Sequence, residues 1–252
     1  MSDQFAIYPS LKGKTVVVTG GASGIGAEVV QAFAAQGAKV GFLDFDQKGG
    51  EQLVADTDGD VAFAPCDLRD IDALKAAVAD LRNRQGPAHV LVNNAARDDR
   101  HGWETVTPEY WDERQQTNLR HYFFMIQAIA PDMIAANAGS IINMGSNSWW
   151  EKGGGMPAYT TAKAAIHGLT RGLATDLGPH NIRVNCVVPG WIMTQRQRDL
   201  WVTPEAITEH LKGQCLPQMV EPVYLARQVL WLASDDSAMS TASNFFVDAG
   251  SV

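Results

Sequence analysis

Tyr159 and Lys163 stand four residues apart in Tyr159-Thr-Thr-Ala-Lys163, and Ser146 lies thirteen residues before the tyrosine. On a helix, residues four apart share one face, a turn from each other. A phenol, an ammonium and a hydroxyl that converge can take a proton from an alcohol and hold its oxygen. Taken alone, Tyr-x-x-x-Lys is a common surface pattern, so its meaning depends on the rest of the chain. Ser146 follows the apolar run Ser140-Ile-Ile-Asn-Met144, which reads as a buried strand. Its hydroxyl therefore falls at a strand's carboxyl end.

The elements that must position this group begin with Thr15-Val-Val-Val-Thr19, a β-branched run that reads as a buried strand. It enters Gly20-Gly-Ala-Ser23-Gly24-Ile25-Gly26 directly, and a helical pattern with Val29, Val30 and Phe33 on one side follows, stopped at Gly37. Glycines at 20, 24 and 26 permit a tight turn and close approach of backbone to a pyrophosphate. The free N–H groups and positive end of the following helix favour an anion there. Three glycines in a loop mean little, but strand, turn and helix in this order mean more. The next strand, Lys39-Val-Gly-Phe-Leu43, ends at Asp44, 18 residues past Gly26. An acidic side chain there accepts from the adenosine ribose hydroxyls and repels a 2′-phosphate. Neither Ser23 nor Phe45 supplies a basic group, so the pattern reads as NAD rather than NADP. The competing reading of Asp44 is an ordinary strand-end turn.

Val61-Ala-Phe-Ala-Pro65 and His89-Val-Leu-Val92 read as further strands. Asp67, at the end of the first, can reach an adenine amino group. Asn93-Asn94-Ala95-Ala96, after the second, suits backbone packed on a nucleotide or simply marks a turn. Ile71, Leu74, Val78 and Leu81 mark a helix face over 70–85. Arg97, Asp98 and His101 belong to a charged loop on the ligand side of the sheet. Thr107-Pro108 opens a helix expected to run to about Asn137 with a kink at Pro131, and Asn118 lies in its middle. Arg183–Val188 is a strand broken by Pro189-Gly190, and Asn244–Val247 is the last one. Residues 191–219 lack a strand pattern; they start a helix at Thr203-Pro204-Glu205 and read as a substrate loop or lid. Residues 1–14 read as an arm, and no linker or repeat divides the chain. Strands alternating with helices predict a single-domain α/β fold: a Rossmann-like, doubly wound parallel seven-stranded sheet with helices on both faces.

Composition narrows the function. The 252 residues carry a net charge of -8 with no basic cluster, which disfavours nucleic acid. Three scattered cysteines and no leader-like N-terminus point to a reducing, cytoplasmic setting. No histidine pattern suggests a metal, and no apolar run suggests a membrane span.

Assembled in order, Thr19–Gly26, Asp67, Asn93-Asn-Ala95, Asn118, Ser146, Tyr159-x-x-x-Lys163 and Pro189-Gly190-x-Ile192-x-Thr194 resemble the short-chain dehydrogenase/reductase family over nearly the whole chain. The resemblance implies Asn118, Ser146, Tyr159 and Lys163 as the catalytic group. It implies a cofactor site of Gly20, Ser23, Gly24, Ile25, Gly26, Asp44, Asp67, Leu68, Asn94, Ala95 and Ala96. Tyr159, Lys163, Pro189 and Gly190 complete it, with Ile192 and Thr194 beside the nicotinamide carboxamide. It further implies a homotetramer, pairing helices over 107–137 and 157–177. Ala96, Gly145 and Ala242 depart from family residues (glycine, serine and glycine respectively).

A narrower set, including Asp98-Asp-Arg-His101, Asn118-Leu-Arg-His121 and Ser148-Trp149, resembles bacterial NAD-dependent sugar 1-dehydrogenases. That implies a small sugar substrate, oxidised at C1 to a lactone with Tyr159 as base. Such a base needs a phenol pKa lowered by about 2–3 units from near 10, with Lys163 as one source of the shift. Ser146, Asn147, Ser148, Trp149, Tyr159 and Trp191 are the candidate substrate residues, tryptophan suiting the C–H face of a pyranose. Other expectations remain open: a different secondary alcohol (polyol, hydroxysteroid, acyl thioester), or a nicotinamide-binding regulator without turnover.

Overall fold

The computed structural model describes residues 5–252, so the first part of the expected arm lies outside the described residues. All seven expected strands form: β1 Thr15–Thr19, β2 Lys39–Asp44, β3 Asp60–Pro65, β4 Val90–Asn93, β5 Gly139–Met144, β6 Ile182–Pro189 and β7 Asn244–Val247. They make one sheet in the order β3-β2-β1-β4-β5-β6-β7, every neighbouring pair parallel. The order reverses between β1 and β4, which opens a crevice at the carboxyl ends of those strands.

Helices cover both faces, so alternate residues of one strand are buried on opposite sides. Val16 and Val18 pack with Phe33 of α1 (Gly24–Ala35) and Leu225 and Val229 of α9 (Pro222–Ala233). Val17 faces the other layer. There Leu74 and Leu81 of α3 (Ile71–Gln85) meet Met125 and Ile129 of α5 (His121–Ala136). Helix α6 (Pro157–Leu177) lies beside β6 on this layer and contributes Ala174. Among the described residues, no helix is long and apolar enough to cross a membrane.

Two local expectations change. The helix expected over 107–137 is not one helix kinked at Pro131. It is α4 (Pro108–Gln115), a wider turn of π type (Gln116–Arg120), then α5, which runs through Pro131 unbroken. The wide turn carries one extra residue per turn and leaves Asn118 fully buried. Two helices were not foreseen: α2 (Gln47–Asp56) and α7 (Gln195–Leu200). Gly49 and Gly50 hide α2 in the sequence, yet a Cβ at Gly50 would stand 2.5 Å from the Phe63 ring. The expected helix start at Thr203 opens α8 (Pro204–Leu211), with the Thr203 hydroxyl accepting from Ala206 N–H at 3.1 Å.

The departures from the family pattern have structural meaning here. A Cβ at Gly145 would meet Cys186 Sγ at 2.8 Å, so a serine there would require the cysteine side chain or the strand end to shift. Ala242 holds φ 57, a left-handed conformation that suits glycine. Ala242→Gly is expected to stabilise the protein by about 0.5–1 kcal/mol, relief of left-handed strain exceeding glycine's unfolded-state entropy. A higher urea midpoint with an unchanged slope checks this; a lower midpoint rules it out.

Candidate active site

One large groove runs along the carboxyl ends of the strands, with about 990 Å³ of accessible space. The glycine turn forms one end. Gly20 has φ 68, and a Cβ on it would stand 2.8 Å from Ala95 Cα. A Cβ at Gly26 would collide with the Gly20 carbonyl. Asn94 braces this turn, its Nδ2 donating to the Thr19 and Gly20 carbonyls at 3.0 and 3.1 Å. Thr19 Oγ1 in turn accepts from the N–H groups of Asn94 and Ala95 at 2.9 and 3.1 Å. Asn93-Asn-Ala-Ala is therefore a brace for the glycine turn, beyond being a turn itself. The Ser23 hydroxyl caps nothing in its own helix and lines the groove with Gly24 and Ile25.

Asp44 ends β2 with its carboxylate fixed: one oxygen accepts from Ala22 N–H and the other from Asp46 N–H, each at 3.0 Å. Asp67 and Leu68 line the same end, Asp67 held by Arg69 at 2.7 Å. That hydrogen bond is the main influence lowering the Asp67 carboxyl below its ordinary range. A hollow where side chains are excluded, bare N–H groups and a fixed acid at the next strand end fit a dinucleotide. Ala96, Pro189, Gly190, Ile192 and Thr194 continue the lining. Thr194 Oγ1 caps α7 by accepting from Gln197 N–H at 3.3 Å, and its methyl faces Gly24 across the groove.

Ser146, Tyr159 and Lys163 line the middle of the groove. Strand β5 ends at Met144, and Gly145 N–H extends its pairing to the Val187 carbonyl at 2.8 Å. Ser146 follows in extended conformation, and its Oγ accepts from Ser148 N–H at 3.2 Å. That leaves the serine proton to donate toward Tyr159, an interaction that favours the phenolate. Burial nevertheless dominates and pushes the phenol up to about 12; Asp98 adds to this, while Arg100 opposes it. The depression expected from the sequence is absent in the free protein.

Lys163 explains part of the difference. Its Nζ donates to the Met144 carbonyl at 2.7 Å and to Tyr122 Oη at 3.0 Å, rather than to the phenol of Tyr159. Burial pulls the ammonium down to about 7. Tyr122 Oη also donates to the Met144 carbonyl, at 3.1 Å. Asn118 Oδ1 accepts from Arg97 N–H at 2.8 Å, and its buried Nδ2 has no partner among the described residues. Tyr122 escaped the sequence reading, although it stands four residues after Asn118, the spacing that singled out Tyr159 and Lys163.

The outer residues divide. Asn147, Ser148 and Trp191 line the groove, but Trp149 does not. Trp149 turns to α6, where its indole N–H donates to His167 Nε2 at 3.0 Å, and His167 Nδ1 meets Asn244 Oδ1 at 2.8 Å. Arg97 and Asp98 line the groove, whereas His101 is taken up by structure. Its Nε2 accepts from Ala158 N–H at 3.2 Å in the first turn of α6. Its Nδ1 faces Tyr110 Oη at 3.0 Å and the Asp99 carbonyl at 2.9 Å.

A family profile described as "Enoyl-(Acyl carrier protein) reductase" matches residues 20–251. D-xylose 1-dehydrogenase of Caulobacter vibrioides is 48% identical over 97% of this chain and 98% of that protein. A probable galactose dehydrogenase of Rhizobium meliloti is 47% identical over 96% of each. A structure of 7α-hydroxysteroid dehydrogenase complexed with NADH and 7-oxo glycochenodeoxycholic acid superposes with TM-score 0.92, at 28% identity over 97% of this chain and 96% of that one. On this likeness and on the shared groove of turn, acid, serine, tyrosine and lysine, the chain belongs to the short-chain dehydrogenase/reductase family of oxidoreductases.

Proposed function

We propose that the protein is an NAD-dependent aldose 1-dehydrogenase, which oxidises C1 of a pyranose of the galactose, xylose or arabinose class to the lactone. The observation that carries this reading is a single groove shared by the glycine turn, Asp44 and the Ser146–Tyr159–Lys163 group. Relatives bearing sugar-dehydrogenase names at 48 and 47% identity support the substrate class. A second reading, another secondary alcohol of the polyol, hydroxysteroid or oxoacyl type, draws on more distant relatives such as a 36% identical hydroxysteroid dehydrogenase.

A nicotinamide cofactor held along Gly20, Asp44 and Thr194 would supply the hydride acceptor for the sugar carbon. This chain's residues manage the proton and the geometry. Ser146 donates to the reacting oxygen and fixes it beside Tyr159. Tyr159 takes the hydroxyl proton as base. It stands in the first turn of α6, where the helix N-terminus favours the anion. With its ammonium near neutrality, Lys163 can pass a proton on. Asn118, with a free buried amide nitrogen, anchors a water that carries it out. Asp44 selects NAD by accepting ribose hydroxyls. The segment 191–219, with α7 and α8, serves as lid. A cytoplasmic homotetramer accompanies this reading. Phe123 and Ile134 leave apolar surface on the α5 face that would pair.

Three outcomes follow. Tyr159→Phe should lower kcat roughly 10²–10⁴-fold, the usual contribution of a general base, with NAD affinity unchanged by titration. Wild-type turnover in that variant rejects the base assignment. The carboxylate of Asp98 raises the Tyr159 phenol, so Asp98→Asn should lower it. The rate of sugar oxidation, which rises as the base form is populated, should then reach its plateau at lower pH. Arg100→Gln should move the plateau to higher pH, and a profile unmoved by both changes rejects this electrostatic account. Finally, Asp44→Ser should cut the ratio of kcat/KM for NAD over NADP at least about tenfold, the worth of one good polar contact. An unchanged ratio would show that selectivity lies elsewhere.

A further inference from the structure

Beyond Ser146 the groove continues under α8 and is lined there by Asn147, Ser148, Glu151, Trp191 and His210. Of these, Glu151 and His210 play no part in the proton chemistry. Glu151 Oε1 accepts from Asn147 Nδ2 at 2.6 Å. Burial raises the Glu151 carboxyl above its ordinary range, while the nearby imidazole of His210 opposes the rise. His210 packs edge-on against the Trp191 ring, centroids 5.2 Å apart at 83°. The Trp191 N–H is spent on Gln197 Oε1 at 2.9 Å, so the indole offers its ring rather than its donor. Two buried polar atoms here have no partner among the described residues: Ser148 Oγ and His210 Nε2.

A buried hydroxyl and a buried imidazole nitrogen left bare cost free energy unless a ligand meets them. The Glu151 carboxylate alongside, already met by Asn147, keeps lone pairs for the donors that adjacent sugar hydroxyls supply. The apolar rings of a steroid would leave Ser148 Oγ and His210 Nε2 unsatisfied, which a site built for hydrogen bonds rejects strongly. We propose that Glu151 and His210 are the specificity-determining pair for a polyhydroxylated ring: Glu151 accepts from two neighbouring hydroxyls remote from C1, and His210 Nε2 and Ser148 Oγ meet the hydroxyls beside them. Trp191 bounds the ring's C–H face. This assignment rests on the aldose reading and adds to it the residues that tell one aldose from another.

The test uses NADH formation with galactose, xylose, arabinose and their 3- and 4-deoxy analogues. Alongside it, a 1,5-anhydro sugar, which lacks the reacting hydroxyl, is titrated into NADH-loaded protein by calorimetry. For Glu151→Gln, KM for the sugar should rise about 10–100-fold, as for loss of a charged hydrogen bond, with KM for NAD unchanged. The anhydro sugar should weaken in parallel. Removing the sugar hydroxyl that Glu151 reads should hurt the wild type and cost the variant little more. His210→Leu should show the same split on a different hydroxyl. Turnover of aldoses with sugar KM and anhydro-sugar affinity unchanged in both variants overturns the pair and leaves the aldose reading standing. Wild-type protein that neither turns over an aldose nor binds the anhydro sugar overturns both.

Discussion

A lysine ammonium buried to 1% exposure is the constraint on which the site depends. Taking such a charge out of water costs several kcal/mol unless acceptors meet it. Here the acceptors are the Met144 carbonyl and the Tyr122 hydroxyl, at 2.7 and 3.0 Å. Strand β5 must therefore present the Met144 carbonyl to α6, and the segment after the π turn must bring Tyr122 beneath it. Side-chain bonds then tie these pieces together. Asn93 Nδ2 donates to Asn143 Oδ1, and Asn143 Nδ2 donates to Thr170 Oγ1, both at 3.0 Å. This buried chain fixes β4 and β5 against α6 directly below the reacting groups. In a low-dielectric interior such buried amide bonds help to specify one arrangement.

The same burial that lowers the Lys163 ammonium disfavours ionisation of the Tyr159 phenol. A phenol pushed to about 12 is neutral throughout the physiological range. The Ser146 hydroxyl, as a hydrogen-bond donor, and the Arg100 charge oppose this rise. Asp98 and Arg100 then act as opposing weights, one on each side of the balance. Both sit on the loop after β4, at the groove's edge. That loop is clamped to the start of α6 through the His101–Ala158 bond. Its charges are accordingly held at a set distance from the phenol.

Much of this was legible in the chain. Central strands such as β1 stand out because β-branched runs buried on both faces have no polar alternation to confuse them, and the outer strands β3 and β7 show as short apolar runs. The glycine turn, Asp44, Ser146, Tyr159 and Lys163 are visible because backbone approach and one-turn spacing leave fixed marks. What stayed hidden has physical causes as well. A π turn inserts one residue without altering the apolar pattern around it, so residues 108–136 read as a single helix. Trp149 and Trp150 are neighbours of equal promise in the sequence. Only the packing, with ring centroids 3.5 Å apart and Trp149 bonded to His167, turns both toward α6 and away from the groove. Tyr122 and Asn118 lie inside a helix where most polar residues face water.

The Ser146–Tyr159–Lys163 group and the residues at the outer end of the groove are held by different kinds of structure, and this sets what each can vary. Ser146, Tyr159 and Lys163 hang on a strand end and a helix packed against it, and the Lys163–Met144 hydrogen bond ties that helix to the strand end. Trp191 and His210 come instead from the segment after β6, whose helices α7 and α8 bury no residue among those described. Only Ile192 and Met193 at its start are buried; beyond them, contacts such as the Ile192–Val220 bridge and the Arg198–Glu221 ion pair at 2.6 Å pin the segment. A surface of this kind can be rebuilt residue by residue without cost to the sheet. The chemistry is consequently fixed by the fold, while the choice of alcohol rests on side chains that the fold does not dictate. This is the physical reason that a parallel sheet shared by so many dehydrogenases says so little by itself about which alcohol enters the groove.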